Sequence, residues 1–186
     1  VSVSNAAGID LRGMLIQNNL GNGIWATNTV GFDISNTDLI NNGDNDVLDE
    51  ANLHFEGVTG SVEFNNLEMA DPVESNALIR LSSGSLNFTM IKSLVRDTPT
   101  VSTGNTGMAL YPSGTGSITA SITNSDFLRN RANGIQVLTD GAGTFDVEIV
   151  GGDFNTNNIG INIAMNGSAN TRFDISDTSM VGNVAS

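Results

Sequence analysis

The sequence predicts an all-β chain wound as a right-handed, single-stranded parallel β-helix, a solenoid of about seven turns with three short strands in each. Three observations carry that expectation. A hexapeptide opening on an apolar anchor recurs seven times, with anchors at Leu11, Ile34, Phe64, Met90, Ile122, Ile149 and Ile175 and spacings of 23, 30, 26, 32, 27 and 26 residues; self-similarity at such a period marks a solenoid or array. Apolar residues alternate with polar ones just before each anchor, the pattern of a strand with one face buried. Asn, Gly or Asp stands two residues after most anchors, where a sharp bend interrupts the strand.

Each turn reads in the same order. The first strand leads into the anchor through Ile9, Phe32, Val62, Phe88, Ala120, Val147 or Phe173, two residues earlier. The residue directly before the anchor (Asp10, Asp33, Glu63, Thr89, Ser121, Glu148 or Asp174) marks the outward face. The bend falls on Gly13, Asn36, Asn66, Lys92, Asn124, Gly151 or Asp177, and a second strand ends on the inward Ile16, Leu39, Met69, Val95, Phe127, Phe154 or Met180. After an Asn- and Asp-rich loop a third strand starts at Gly23-Ile24, Gly107-Met108, Gly134-Ile135 or Gly160-Ile161. Two turns lack the Gly, and their third strands are placed at Leu53-His54-Phe55 and Ile79-Arg80-Leu81. Three strands with bends between them make the chain climb one strand spacing, about 4.8 Å, per turn. Turns of this length with three unequal loops suit the right-handed form. A β-sandwich also has short strands and Gly/Asn turns, but it does not place the same residue types at the same offset seven times.

Composition bounds the function. The chain has 186 residues, enough for one domain spanning 1–186, with 21 Gly, 3 Pro and no Cys. Twenty acids against seven Lys plus Arg give a net charge of −13, which argues against nucleic acid, since phosphate binding needs a basic footprint, and against anionic membranes. No apolar run is long enough for a transmembrane helix, so membrane insertion is not expected. The acidic balance favours solubility, divalent cations or a salty medium. The start Val1-Ser2-Val3-Ser4 shows no leader pattern, and neither end carries an amphipathic helix. Uncapped solenoid ends invite pairing, so the expectation is a segment of a longer solenoid or ends that pack on adjacent turns or other subunits.

The succession of strand, Asn bend, strand, Asn-rich loop and Gly-Ile strand resembles the right-handed parallel β-helix repeats of the pectate-lyase-like superfamily over essentially the whole chain, with Asn36, Asn66 and Asn124 at the positions of that family's Asn ladder. The resemblance implies the fold and a range of roles: polysaccharide lyases, pectin-type hydrolases, phage tailspikes, and catalytically silent repeats of bacterial surface proteins. It also implies that a substrate would lie along the sheet of Gly-Ile strands.

On that sheet the outward column is expected to read Trp25, His54, Arg80, Ala109, Gln136, Asn162, which places the chain's one Trp and one His beside an Arg on consecutive turns. Trp stacks on sugar rings, and Arg binds a carboxylate or serves as a lyase base, so Trp25, His54, Arg80, Gln136 and Asn162 are the candidate ligand-binding residues, with Arg80 and His54 catalytic in the event of an enzyme. Against this stands a solvated sheet on which rare residues are chance neighbours. Above the column, the loop 41–50 carries Asp44, Asp46, Asp49 and Glu50, four acids within seven residues. They supply hard oxygen ligands of the kind Ca²⁺ takes, though not at EF-hand spacing; a plain acidic loop is the alternative. Asn36-Thr37-Asp38 matches an element of polygalacturonase-like hydrolases, but their other motifs are missing and the tripeptide sits on the repeat's bend, which makes it architecture. Arg129-Asn130-Arg131 is a loop pair that serves solubility. The acids before the anchors stack into one outward column, and Asp38, Glu68, Asp126 and Asp153 into a second; the expectation is a solvated, cation-screened face. Together these readings point to a secreted or cell-surface domain with a structural or adhesive role that binds glycan or Ca²⁺. The alternative is a polysaccharide lyase or glycoside hydrolase acting on an acidic polysaccharide.

Overall fold

Period-two alternation broken at fixed offsets by residues that accept positive φ makes straight segments joined by corners, and stacked corners make a solenoid. The structure, a computed structural model, describes residues 1–44, 49–99 and 105–184. The described residues contain strands and no helix, and none forms a helix long and apolar enough to cross a membrane. In chain order the strands are β1 (Ser2–Ser4), β2 (Ala7–Arg12), β3 (Leu15–Gln17), β4 (Ile24–Thr27), β5 (Val30–Ile40) and β6 (Ala51–Glu56). They continue with β7 (Thr59–Ala70), β8 (Ser75–Leu81), β9 (Ser85–Ile91), β10 (Leu94–Arg96), β11 (Met108–Gly114) and β12 (Ser117–Thr123). The last are β13 (Asp126–Leu128), β14 (Asn133–Gly141), β15 (Thr144–Val150), β16 (Ile159–Gly167) and β17 (Asn170–Ser176).

All pairings between strands are parallel, each strand lying beside its counterpart from the next circuit. The first sheet runs β1-β4-β6-β8-β11-β14-β16, and a second, larger sheet holds the remaining strands. Seven strands in the first sheet enclose six complete circuits, so the chain is a parallel β-solenoid of about six turns. In two circuits the segments before and after the bend run on as one strand, β5 of 11 residues and β7 of 12.

The anchors pair in unbroken register, Leu11 to Ile34 to Phe64 to Met90 to Ile122 to Ile149 to Ile175. The core between the sheets is aliphatic and phenylalanine-rich. Phe32, Phe55, Phe64 and Phe88 follow one another with ring centroids 4.8, 5.9 and 5.0 Å apart, within the range of favourable aromatic packing. All seven expected bend residues have positive φ, from 48° at Lys92 and Asn124 to 71° at Gly151. The outer Asn ladder is present: Asn66 Nδ2 donates to Asn36 Oδ1 at 2.9 Å. Thr37 is buried, donates to the Ser35 carbonyl and accepts from the Met14 amide, so Asn36-Thr37-Asp38 is an element of the bend. The acidic columns align as expected, Asp10 to Asp33 to Glu63 and Asp38 to Glu68.

A second set of corners was not anticipated. Five residues after every bend residue comes another positive φ, at Asn18, Asn41, Asp71, Asp97, Arg129, Thr156 and Gly182. Asn19, after the first of these, is exposed and donates to Asn42 Oδ1; in the later circuits the next residue turns inward, and where it is Asn it is hydrogen-bonded into the interior. Asn42, Asn130, Asn157 and Asn183 donate through Nδ2 to the carbonyls of Ile16, Val95, Phe127 and Phe154, one circuit earlier. In two circuits this position is Pro72 or Thr98. There Asn52 and Asn76, at the mouths of β6 and β8, fill the corner and donate to the Ala70 and Arg96 carbonyls. This explains the Gly pattern. A Cβ at Gly23, Gly107, Gly134 or Gly160 would come within 2.7, 2.9, 3.1 or 3.2 Å of the Nδ2 of Asn42, Asn130, Asn157 or Asn183. Gly therefore opens the strand of the first sheet where the next circuit brings an Asn, and Asn opens it where the next circuit brings none.

Candidate functional site

The outward face of the first sheet presents side chains in rows across the circuits, held by parallel pairing and by the Asn-filled corner at the strand entrances. Trp25 on β4 pairs with His54 on β6, as expected. His54, however, pairs with Leu78, then Leu78 with Ala109, Gln136 and Asn162 in turn. Arg80 stands two residues further along β8, in the row Glu56–Arg80–Tyr111. The expected column is thus corrected at one circuit. Asn76, not Leu78, is the counterpart of the Gly, and a slip of two residues leaves inward and outward faces unchanged. The structure brings together Trp25, His54, Glu56, Arg80 and Tyr111. Gln136 joins them through its Oε1, which accepts from the Tyr111 hydroxyl at 3.0 Å, while Asn162 lies beyond Gln136 towards the last circuit.

Trp25 is 48% exposed and lies nearly parallel to the His54 ring, at 12° and 6.0 Å between centroids. His54 itself is only 8% exposed. Its Nε2 has no hydrogen-bond partner among the described residues and stands 3.7 Å from the Glu56 carboxylate. Burial, reinforced by the nearby Arg80 charge, holds the imidazole below its ordinary pKa despite Glu56, so it is neutral at neutral pH. Arg80 is locked in a bidentate pair, both terminal nitrogens 2.9 Å from the Asp49 carboxylate oxygens. That hydrogen-bonded pair pushes the guanidinium pKa further above its already high ordinary value. The guanidinium also lies 6.0 Å from the centre of the Tyr111 ring, and burial raises the Tyr111 hydroxyl. Beyond this row opens a groove lined by Glu56, Arg80, Tyr111, Ser113 and Asp140.

The acidic loop meets the site from the side. Asp49 has a φ of 69°, and its amide donates to Glu74 Oε2 at 2.9 Å, as does that of Glu50 at 3.1 Å. Glu74 is buried, and burial raises its pKa. Glu50 is buried too, and its Oε2 accepts from the Asp44 amide. Of the candidate calcium ligands, Asp49 is thus spent on Arg80 and Glu50 faces the loop's own backbone; Asp46 lies outside the described residues. Among the described residues no group of three or more His, Cys, Asp or Glu is arranged to hold a metal ion. Arg129 pairs with Asp97, and Asn130 between the two arginines belongs to the buried corner.

Sequence reasoning missed Tyr111, Glu56 and the Asp49–Arg80 pair. Tyr111 carried a signal, being the only Tyr in the chain, two residues beyond the outward Ala109. The pair carried none, because it joins a loop to a strand 31 residues away. Comparison with known proteins adds no relative: no family model, no curated protein and no solved structure matches the chain.

Proposed function

We propose that this chain is a secreted or cell-surface β-solenoid module with a structural and adhesive role that binds glycan across the outward face of its first sheet. One observation carries the reading: an exposed indole lies flat against a buried imidazole on a rigid sheet, beside a groove with Tyr111 and carboxylates along it. A flat aromatic ring at a fixed angle offers a sugar a stacking surface at little cost in ordering. Trp25→Ala should weaken binding to an immobilised glycan panel at least about tenfold without lowering the melting temperature. Unchanged binding would sink the reading.

The finer architecture proposed with it is a right-handed, pectate-lyase-like helix with three strands per coil, the seven expected turns being six complete circuits and a partial one. The near-universal right hand of parallel β crossovers supports the handedness, and the two αL corners flanking a short segment in every circuit support the three-strand division. The open ends are proposed to stack on further coils or other subunits. Calcium at Asp44, Asp46 and Glu50 is proposed on the loop's composition alone; a melting temperature unmoved by a chelator would count against it. The alternative, a lyase or hydrolase acting on an acidic polysaccharide, draws less support. Arg80, its expected base, is held charged by Asp49, and the His54 Nε2 is shielded from solvent.

A further inference from the structure

The one guanidinium on the candidate site already has a carboxylate. Arg80 makes the paired contact by which arginine recognises a carboxylate group, 2.9 Å to each oxygen, and the carboxylate is the protein's own Asp49. Asp49 is itself held in place: its amide is bound by the buried Glu74 carboxylate, and its backbone sits at a φ of 69°. The rest of the groove offers an anion nothing. Among the described residues its other charged lining groups are Glu56 and Asp140, and no second Arg or Lys borders it. The chain as a whole carries −13, so a polyanion approaching this face meets repulsion at long range and no free cation at contact. An uncharged sugar meets a different surface: an indole to stack on, carboxylates that accept hydrogen bonds from hydroxyls, and the Ser82 and Ser113 hydroxyls.

We propose that Asp49 sets the sugar class of this site: by occupying the Arg80 guanidinium where a uronate carboxylate would bind, it commits the groove to uncharged glycans and excludes acidic ones. The inference rests on the glycan reading above and narrows it. It makes Asp49 a specificity residue, and it predicts that removing the internal carboxylate opens a uronate site on the same scaffold.

The test is titration calorimetry of the full chain with hexasaccharides of glucose, mannose and N-acetylglucosamine, set against a hexamer of galacturonate. The wild type should bind at least one uncharged hexamer at least about tenfold more tightly than the galacturonate hexamer. Asp49→Asn and Asp49→Gly both accept positive φ, and each should raise affinity for the galacturonate hexamer at least about tenfold, the effect of freeing a bidentate charge-assisted contact. Adding Arg80→Gln to either should abolish that gain. Wild-type protein that binds galacturonate as tightly as the best uncharged hexamer overturns the inference and leaves the glycan reading standing. Asp49 variants that keep the wild-type circular dichroism spectrum yet gain no galacturonate affinity overturn it as well. Failure of every hexamer to bind, with Trp25→Ala indistinguishable from wild type, overturns the glycan reading and this inference with it.

Discussion

Two columns of asparagine run along this solenoid, and they obey different rules. The outer column, at the bend after the anchors, is solvent-exposed and holds Asn36, Asn66 and Asn124, but Gly13, Lys92, Gly151 and Asp177 take the same place in other circuits. The inner column, at the entrance to the first sheet, is buried. Where its usual position loses Asn, to Pro72 or Thr98, another Asn fills the corner from the opposite side. What the outer corner requires is a backbone conformation, which several residue types meet at modest cost. The inner corner requires an amide side chain, because carbonyls turned away from the sheet ladders would otherwise be buried without donors.

The sharpest way to break this comparison is to remove a buried amide. Asn52 is fully buried and makes four hydrogen bonds: it accepts from the Asn42 amide and Nδ2 and donates to the Ala70 carbonyl and Asn76 Oδ1. Asn52→Ala should cost about 3 kcal/mol, since truncation leaves several polar atoms unsatisfied in the interior, as read from the urea midpoint. The complementarity between Gly and Asn makes a stronger claim. Asn52→Gly combined with Pro72→Asn recreates the arrangement of Gly23 with Asn42, and the double variant should recover at least about half of what Asn52→Gly loses. Strictly additive losses would show that the Gly/Asn alternation is accidental.

A smaller effect sharpens the same contrast through glycine. A Cβ at Gly107 would lie 2.5 Å from the Gly134 carbonyl and 2.9 Å from Asn130 Nδ2, whereas one at Gly13 meets nothing within 4 Å. Gly107→Ala should therefore cost about 2 kcal/mol through overpacking. Gly13→Ala should cost about 1 kcal/mol, the penalty of its φ of 63° alone. Equal losses in thermal unfolding would mean that the Asn130 amide yields to the added methyl group and that the inner corner is not close-packed.

The sequence made one ladder legible and hid the other for a physical reason. The inward columns, the bends and the acidic faces recur at fixed offsets from the anchors, so Leu11 through Ile175 could be aligned before any fold was known. The inner amides come from two different offsets, after the αL residue in Asn42 or Asn130 and before the strand in Asn52 or Asn76, and only the stacked coils bring them into one column. The site divides in the same way. Trp25 and His54 were legible as neighbours, because Leu53-His54-Phe55 matches Ile24-Trp25-Ala26 in register. Arg80 was misplaced by one row, because Asn76 had taken the role of the missing Gly and alternation cannot detect a slip of two. Its pairing with Asp49 depends on where a loop lands.

The mildest test falls on the outer ladder itself. Asn66 has a φ of 54° and one ladder hydrogen bond, at an exposed position. Asn66→Ala should cost about 1 kcal/mol, most of it the αL penalty of a residue whose side chain cannot hydrogen-bond locally. Asn66→Gly gives up the same hydrogen bond but relieves the backbone, so it should fall within about 0.5 kcal/mol of wild type. That order, Gly above Ala, is what a corner defined by its backbone requires, and it is the order nature displays at Gly13 and Gly151. The inner corner predicts the opposite weighting at Asn52, where Gly and Ala should both fall far below Asn because neither supplies an amide. If Asn66→Gly proved as damaging as Asn66→Ala, the outer ladder would hold the coils through its side chains, and the distinction between the two columns would collapse.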